Sequence, residues 1–283
     1  MHPHPGLKML KRTESDHIYQ HAYVPEHLIE YVTAVSGGTP YYLRDYLCYL
    51  HRNHLIIIGY PLTDTPEKLP QVYAAACKQF NPNAITAVAD DLSGLPEGAE
   101  TQPADRYYRL DLPLKSLNPD VAYMVRRAQR ELKIEVGRFG REHKKIIKDF
   151  VERQNLSAAQ IHIFKNVSTY IKRSTSAYLL EARKSARLVA FSIVDLGSAH
   201  YAFYQFNFRS AKISVPGASD FLFDEMVRLA QSKGKRAINL GLGVHPGIRR
   251  FKEKWGGKAF LEHRSVLIQR EPALDISKLS KKL

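Results

Sequence analysis

Acidic residues are the scarcer charge in this chain of 283 residues: 28 Asp and Glu stand against 42 Lys and Arg, a formal balance of +14 at pH 7. With 44% hydrophobic residues at that length, a disordered tail and a minimal stapled scaffold are both excluded. Cysteine is almost missing. Cys48 and Cys77 stand far apart with no CxxC, which predicts two reduced thiols rather than a disulfide framework. Long apolar runs are missing too: the most hydrophobic stretch, Leu55 to Leu62 (LIIIGYPL), falls far short of the ~20 residues that span a bilayer. The opening MHPHPGLKMLKR is charged and has no apolar segment, so neither an export signal nor a transmembrane anchor is expected, and the expected location is cytoplasmic. No GxxxxGK[ST], HExxH, GxSxG or EF-hand pattern occurs. His17 and His21 have metal-compatible spacing but no third ligand near them in sequence, so no metal is assigned.

What is present is positive charge and a regular succession of elements. The charge narrows the partner to nucleic acid, an anionic membrane surface met peripherally, or a phosphate-bearing small molecule. In the first part of the chain the patterning predicts a helix at 25–36, a hairpin of 46–50 and 55–60, a helix at 67–80 and strands at 84–89 and 107–112. The intervening DDLSGLPEGAETQPADR reads as a flexible loop. Asn118-Pro119-Asp120 is a strong helix start, combining a cap, a proline in the first turn and a carboxylate near the positive end of the dipole. From Lys133 onward the predicted order is β-α-α-β-β-β-α-β-α-β, with strands at 133–138, 177–182, 188–195, 201–208, 237–240 and 265–269 and helices at 142–153, 158–172, 219–233 and 247–255.

Three segments in this part carry candidate chemistry. Val215-Pro216-Gly217-Ala218-Ser219-Asp220 joins an aromatic strand to an amphipathic helix, and small residues at a helix start let backbone N–H groups reach an anion; an ordinary capped loop is the alternative. Asn239-Leu-Gly241-Leu-Gly243-Val-His-Pro-Gly247 is a strand running into a glycine-rich turn, too little by itself to indicate a dinucleotide site. Ile248-Arg-Arg-Phe251-Lys252-Glu-Lys-Trp255-Gly256-Gly257 is the most specific. At 100° per residue Ile248, Phe251 and Trp255 make one apolar stripe with Lys252 beside it, so Lys252 either snorkels to water or presents a fixed cation inside a cleft.

This element order and these segments together resemble the GNAT acyltransferase superfamily over 133–270. The predicted fold class is α+β with a mixed sheet, as a tandem GNAT-like fold. Residues 1–117 form a degenerate N-terminal copy, 118–132 a connecting helix, 133–270 the complete catalytic copy and 271–283 a basic tail. Such tandem architecture is similar to Fem-type peptidyltransferases and the soluble catalytic part of lysyl-phosphatidylglycerol synthases. The resemblance implies that the Gly217, Ala218 and Ser219 helix start holds the donor's phosphates, with Arg209 and Lys212 as further partners, although only one glycine of the usual Q/R-x-x-G-x-G/A loop is kept. GNAT acetyltransferases commonly carry F-Y-x-x-x-G-F in the last helix; here Lys252 stands at the tyrosine's place, and the F-K-x-x-W-G segment is instead similar to Fem-like members. That similarity implies that Lys252 stabilises charge where the acyl group is transferred.

The implied activity is N-acyl transfer from acyl-coenzyme A to an amine acceptor, with an aminoacyl-tRNA as the alternative donor. A non-catalytic module binding RNA or anionic lipid is the competing class. On the strand Tyr201 to Asn207, strict alternation places Tyr201, Phe203, Gln205 and Asn207 on one face and Tyr204, Phe206 and Phe208 on the other. Gln205 and Asn207 either orient the acceptor amine or are satisfied amides in a core. With Lys252, the residues Tyr204, Gln205 and Asn207 form the candidate catalytic set, and His200 and His245 are candidate bases at element ends. Nine basic side chains fall between Arg126 and Lys148, either a solvated helix face with Arg127 and Glu131 paired or a surface for phosphates such as those of a tRNA acceptor arm. The sequence does not indicate the acceptor or the oligomeric state.

Overall fold

A computed structural model describes residues 10–100 and 103–270; the basic tail expected at 271–283 lies outside the described residues. In chain order, α1 (Arg12–His21), a 3-10 turn (Pro25–His27) and α2 (Ile29–Ser36) precede β1 (Thr39–Leu43), β2 (Tyr46–His51), β3 (His54–Ile58), α3 (Leu69–Phe80), β4 (Ala84–Ala89), β5 (Ala99–Glu100) and β6 (Asp105–Asp111). Beyond them come α4 (Pro119–Gln129), β7 (Lys133–Val136), α5 (Arg141–Arg153), α6 (Ala158–Arg173), β8 (Ala177–Lys184), β9 (Arg187–Asp195), β10 (Tyr201–Arg209), α7 (Ala218–Ser232), β11 (Ala237–Leu242), α8 (Pro246–Lys254) and β12 (Lys258–Gln269).

The order from β7 to β12 is the one predicted. Three elements are not legible in the sequence: α1 buries only Ile18, so it has no apolar period to read; β1 contains Pro40; and β5 is a two-residue pairing onto β12. Pro40 is tolerated because, among the described residues, β1 pairs only with β2, at the edge of its sheet. β12 also begins earlier than its expected start at residue 265.

The described residues divide into two compact units, the first drawn from 10–14, 38–100, 103–104 and 262–270, the second from Ser15–Gly37 and Asp105–Leu261. In this division α2 and β6 group with the second unit, and most of β12 with the first.

In the first unit β1, β2 and β3 form an antiparallel meander, β3 pairs parallel with β4, and β12 pairs antiparallel with β4 from Arg264 to Gln269. Leu69, Val72, Ala76 and Phe80 recur at helical spacing on α3 and pack with Cys48, Leu55, Ile57, Ile85 and Ala89. Cys48 and Cys77 are free thiols.

In the second unit the strand order is β6-β11-β10-β9-β8-β7, antiparallel except for the parallel pair β10 and β11. The Asn118 side chain caps α4 as its sequence predicts, accepting from the Asp120 N–H at 2.9 Å. Val121, Val125 and Ala128 of α4 and Leu222, Phe223, Met226 and Ala230 of α7 pack together with Leu180, Val194, Ile238 and Leu240 of the sheet. A separate cluster joins Ile146 and Ile147 of α5, Val167 and Tyr170 of α6, and Phe191, Ile193 and Phe208 of the strands. β9 is buried over nearly its whole length, so its near-continuous apolar run is what a central strand requires.

Candidate functional site

All sequence-predicted site residues fall in the second unit. The start of α7 is built by packing. Gly217 has φ of +82°, and a Cβ there would stand 2.3 Å from the Met124 carbonyl oxygen of α4, so glycine is what lets the two helices approach. The Ala218 N–H donates to the Val215 carbonyl, and the Ser219 hydroxyl donates to Asn207 Oδ1 at 2.9 Å. Asp220, buried in the same turn, receives Trp255 Nε1 at 2.9 Å and Lys254 Nζ at 2.7 Å. The positive end of the α7 dipole thus already faces a carboxylate. Arg209 and Lys212 are exposed, at the end of β10 and in the turn beyond it.

The strand β10 departs from strict alternation. Its register with β9 shifts between Tyr204 and Phe206, a bulge that inserts one residue and reverses the facing of the residues beyond it. Phe203 packs with Ala22, Leu28 and Tyr31; beyond the bulge Phe206 also meets Tyr31, with ring centroids 6.0 Å apart. Tyr204 turns instead toward Phe223, at 5.0 Å, and Phe251, at 6.2 Å. Asn207 reaches α7 on that same side, so the expected face sharing Phe203 with Asn207 is corrected: Asn207 joins Tyr204, and Phe206 and Phe208 join Phe203.

The bulge therefore assembles a polar chain. Asn207 Nδ2 donates to Ser192 Oγ at 2.8 Å, Ser219 donates to Asn207, and the Tyr204 hydroxyl bonds Ser192. Burial pushes the Tyr204 hydroxyl well above its ordinary range, with the Asp220 charge adding to the rise. Gln205 sits at the bulge, and its Nε2 is buried with no hydrogen-bond partner among the described residues. Parallel pairing of β10 with β11 covers Tyr201–Phe203 against Ala237–Asn239, while β10 runs on to Arg209 and β11 to Leu242.

The glycine-rich turn after β11 is held by two side chains. Buried Asn239 accepts from the Gly241 N–H at 2.8 Å and donates to the Tyr23 carbonyl at 2.8 Å. Asp105, at the start of β6, accepts from the Gly243 N–H at 3.1 Å, the Val244 N–H at 2.6 Å and the Arg106 N–H at 2.7 Å. His245 caps α8, its Nδ1 accepting from the Gly247 N–H at 3.0 Å. His200 lies before β10, where its carbonyl accepts from Arg236 and Ala237, at the opposite end of β11 from Leu242. Burial and the nearby Arg236, His21 and Lys235 lower its pKa.

Lys252 is the least ordinary residue of this group. It is only 4% exposed, and its ammonium donates to the Leu242 carbonyl at the end of β11 and lies 5.5 Å from the centre of the Tyr108 ring. Desolvation lowers its pKa to about 7, against an upward pull from Asp105. The Lys252 side chain is thus buried and does not snorkel to water. The apolar stripe expected to flank it is shorter than predicted: Trp255 is buried and Phe251 partly so, but Ile248 is 43% exposed.

The nine basic side chains from Arg126 to Lys148 are all exposed. Lys145 and Lys148 pair along α5 with Asp149 and Glu152, and Glu131 is held by Lys184 at 2.6 Å, not primarily by Arg127. Sequence reasoning misses Ser192, Asp105 and Tyr108. Ser192 leaves a signal, a single polar residue inside an apolar strand; Asp105 leaves none, because it sits in an acidic loop and its turn lies 138 residues away. Among the described residues no cluster of three or more His, Cys, Asp or Glu is arranged to hold a metal, and no helix is long and apolar enough to cross a membrane.

No protein-family model and no curated protein sequence matches the chain. Solved structures do. The C-terminal domain of a protein assigned as a lysylphosphatidylglycerol synthetase from Agrobacterium fabrum is 14% identical, aligned over 95% of this chain and 94% of its own, with a TM-score of 0.61. The structure of L-PGS from Bacillus licheniformis is 13% identical over 96% of each chain, with a TM-score of 0.57, and FemX is 10% identical over 91% of this chain and 96% of its own, with a TM-score of 0.59. At these identities the likeness is one of fold.

Proposed function

We propose that this protein, which has the GNAT-like α+β fold of the Fem and lysylphosphatidylglycerol-synthase-like transferases, moves an acyl group from an activated donor to a nucleophilic amine. The observation that carries this reading is the ammonium of Lys252, buried where β10 and β11 stop pairing. A protein that only binds polyanions at its surface has no use for a cation kept from water at a cost in solvation. In an acyl transfer the amine nitrogen bonds to the acyl carbon, negative charge builds on the carbonyl oxygen, and the donor's C–S or C–O bond then breaks, the leaving group taking up the amine's proton. A fixed cation beside that oxygen lowers the barrier without reorganising. Tyr204 and Asn207 of β10 with Ser192 of β9 supply a rigid polar wall, and the unpartnered Gln205 amide offers a donor for a substrate carbonyl.

Acyl-coenzyme A is the first donor reading, its phosphates meeting the Gly217 to Ser219 backbone, Arg209 and Lys212. An aminoacyl ester on tRNA is the second, and two observations favour it. Gly217 is committed to the approach of α4, and Asp220 occupies the first turn of α7, so an anion at that helix start would meet an existing carboxylate. The Agrobacterium protein's name, which joins a lysyl group to a phosphatidylglycerol, accords with an aminoacyl donor. The test is direct: purified protein is given radiolabelled acetyl-coenzyme A or charged tRNA with a panel of amines, and acylated product is measured. Product is expected with one donor, and Lys252→Ala is expected to lower its rate on the order of 100-fold or more. Wild-type rate in the variant would remove Lys252 from the mechanism, and binding with no product from either donor would leave the non-catalytic reading standing.

A further inference from the structure

The turn that receives the Lys252 ammonium is itself held from a distant strand. The carboxylate of Asp105 accepts the two successive N–H groups of Gly243 and Val244, at 3.1 and 2.6 Å, and these come directly after Leu242, whose carbonyl takes the ammonium. The fit leaves no room for adjustment: a Cβ on Gly243 would lie 2.7 Å from Asp105 Oδ1, and Val244 is driven to φ of +42°, a conformation a branched residue adopts only under constraint. Asn239 fixes the other side of the same turn through Gly241, where a Cβ would come 3.8 Å from Lys252 Nζ. The loop around the ammonium is thus shaped by one buried amide and one carboxylate, and only the carboxylate carries charge.

We propose that Asp105 is a positioning residue for Lys252: by clamping the Gly243–Val244 backbone it aims the Leu242 carbonyl at the ammonium, and it sets a negative charge on the turn that receives that cation. This inference rests on the reading of Lys252 as the working cation of the transfer. The other groups facing this region are Tyr108 of β6, the Glu253 carboxylate 3.5 Å from the Tyr108 hydroxyl, and Arg249 of α8 packed on Gly243. The Tyr108 hydroxyl is held above its ordinary range by burial, and the Glu253 charge adds to the rise. Because these groups carry charge of both signs, the measurement follows Lys252 itself rather than overall pH behaviour.

The experiment uses full-length protein with 13C-labelled lysine, in which the Cε resonance of Lys252, assigned by its loss in Lys252→Met, is followed against pH. Asp105→Asn keeps the size of the group and removes its charge. The midpoint of Lys252 is expected to fall from about 7 by roughly one unit, the scale of a nearby opposite charge, while the thermal midpoint of the variant shows it folded. An unchanged midpoint would overturn the proposal, and so would a rise toward the ordinary lysine range, which would mean that the turn had merely opened to water. Asp105→Glu, which retains the charge, is expected to hold the Lys252 midpoint near the wild-type value even where the longer side chain lowers thermal stability; a fall equal to that of Asp105→Asn would sink the charge argument. None of these readings requires turnover, so the failure of acyl transfer and the failure of the Asp105 assignment are separately visible. Where transfer is observed, the Asp105→Asn rate profile should move to lower pH by the same interval, with KM for the acceptor little changed.

Discussion

A buried ammonium is a liability to the fold, and Lys252 shows how large. Its pKa of about 7 against an ordinary value near 10.5 means that below pH 7 the folded protein must carry a desolvated charge, whereas above pH 7 it sheds the proton that the unfolded chain still binds. Unfolded chain binding more protons means that stability rises with pH, so this residue's penalty is full and flat below pH 7 and is relieved progressively up to about pH 10.5. Lys252→Met, similar in length and without charge, is therefore expected to be more stable than wild type by several kcal/mol, on the scale of ~1.4 kcal/mol for each unit of displacement, when unfolded with urea at pH 6. The gap should narrow as the pH is raised toward 10. A gap that stays constant with pH would mean that the lysine is not titrating in the folded state. Position in the sequence is enough to draw attention to Lys252, because its angle on α8 is local information. Neither Asp105 nor the Leu242 carbonyl is legible there, since those contacts exist only once β6 and β11 have paired.

At the scale of elements, α7 is flanked by two glycines in left-handed conformation with unequal surroundings. Gly217 (φ +82°) abuts the Met124 carbonyl of α4, whereas Gly234 (φ +68°), beyond the other end of the helix, has nothing within 4 Å of a Cβ. Gly234→Ala should cost only the backbone term, about 1 to 2 kcal/mol, while Gly217→Ala should cost roughly 2 to 5 kcal/mol because α4 must also be displaced. Equal losses in chemical denaturation would mean that the approach of the helices is not what fixes glycine at 217. The same contrast separates the readable from the unreadable. The helices from Lys133 onward announce themselves because their apolar residues recur at helical spacing between clear stops, and β9 does so as a near-continuous apolar run. The β10 bulge does not: Tyr201 to Phe208 alternate without interruption, and only the register of β9 shows where one residue is squeezed out. That single residue decides whether Asn207 faces Ser219 or the aromatic cluster around Tyr31, so the polar chain on β10 is beyond any reading of the strand alone.

For the whole molecule, the excess of basic residues recedes from the immediate chemistry: Lys252 is buried, Lys254 is tied to Asp220, and the exposed run from Arg126 to Lys148 lies on α4, β7, α5 and the segments joining them. Two donors would use that run differently. A coenzyme A thioester brings a few phosphates, whereas a tRNA lays many along a surface, and each phosphate neutralised releases condensed counterions and steepens the salt dependence. Replacing Arg126 and Lys144 together by Glu, at exposed positions for which no carboxylate partner is observed among the described residues, should leave the fold intact. If the donor is an aminoacyl-tRNA, its binding should weaken at least about tenfold at low salt and the slope of log affinity against log salt should become shallower by about one to two. Acetyl-coenzyme A binding, measured in parallel, should hold its wild-type value within a factor of about two, since neither position lies at the start of α7. Unchanged tRNA affinity in the double variant would assign the basic run to solvation and return the donor reading to coenzyme A.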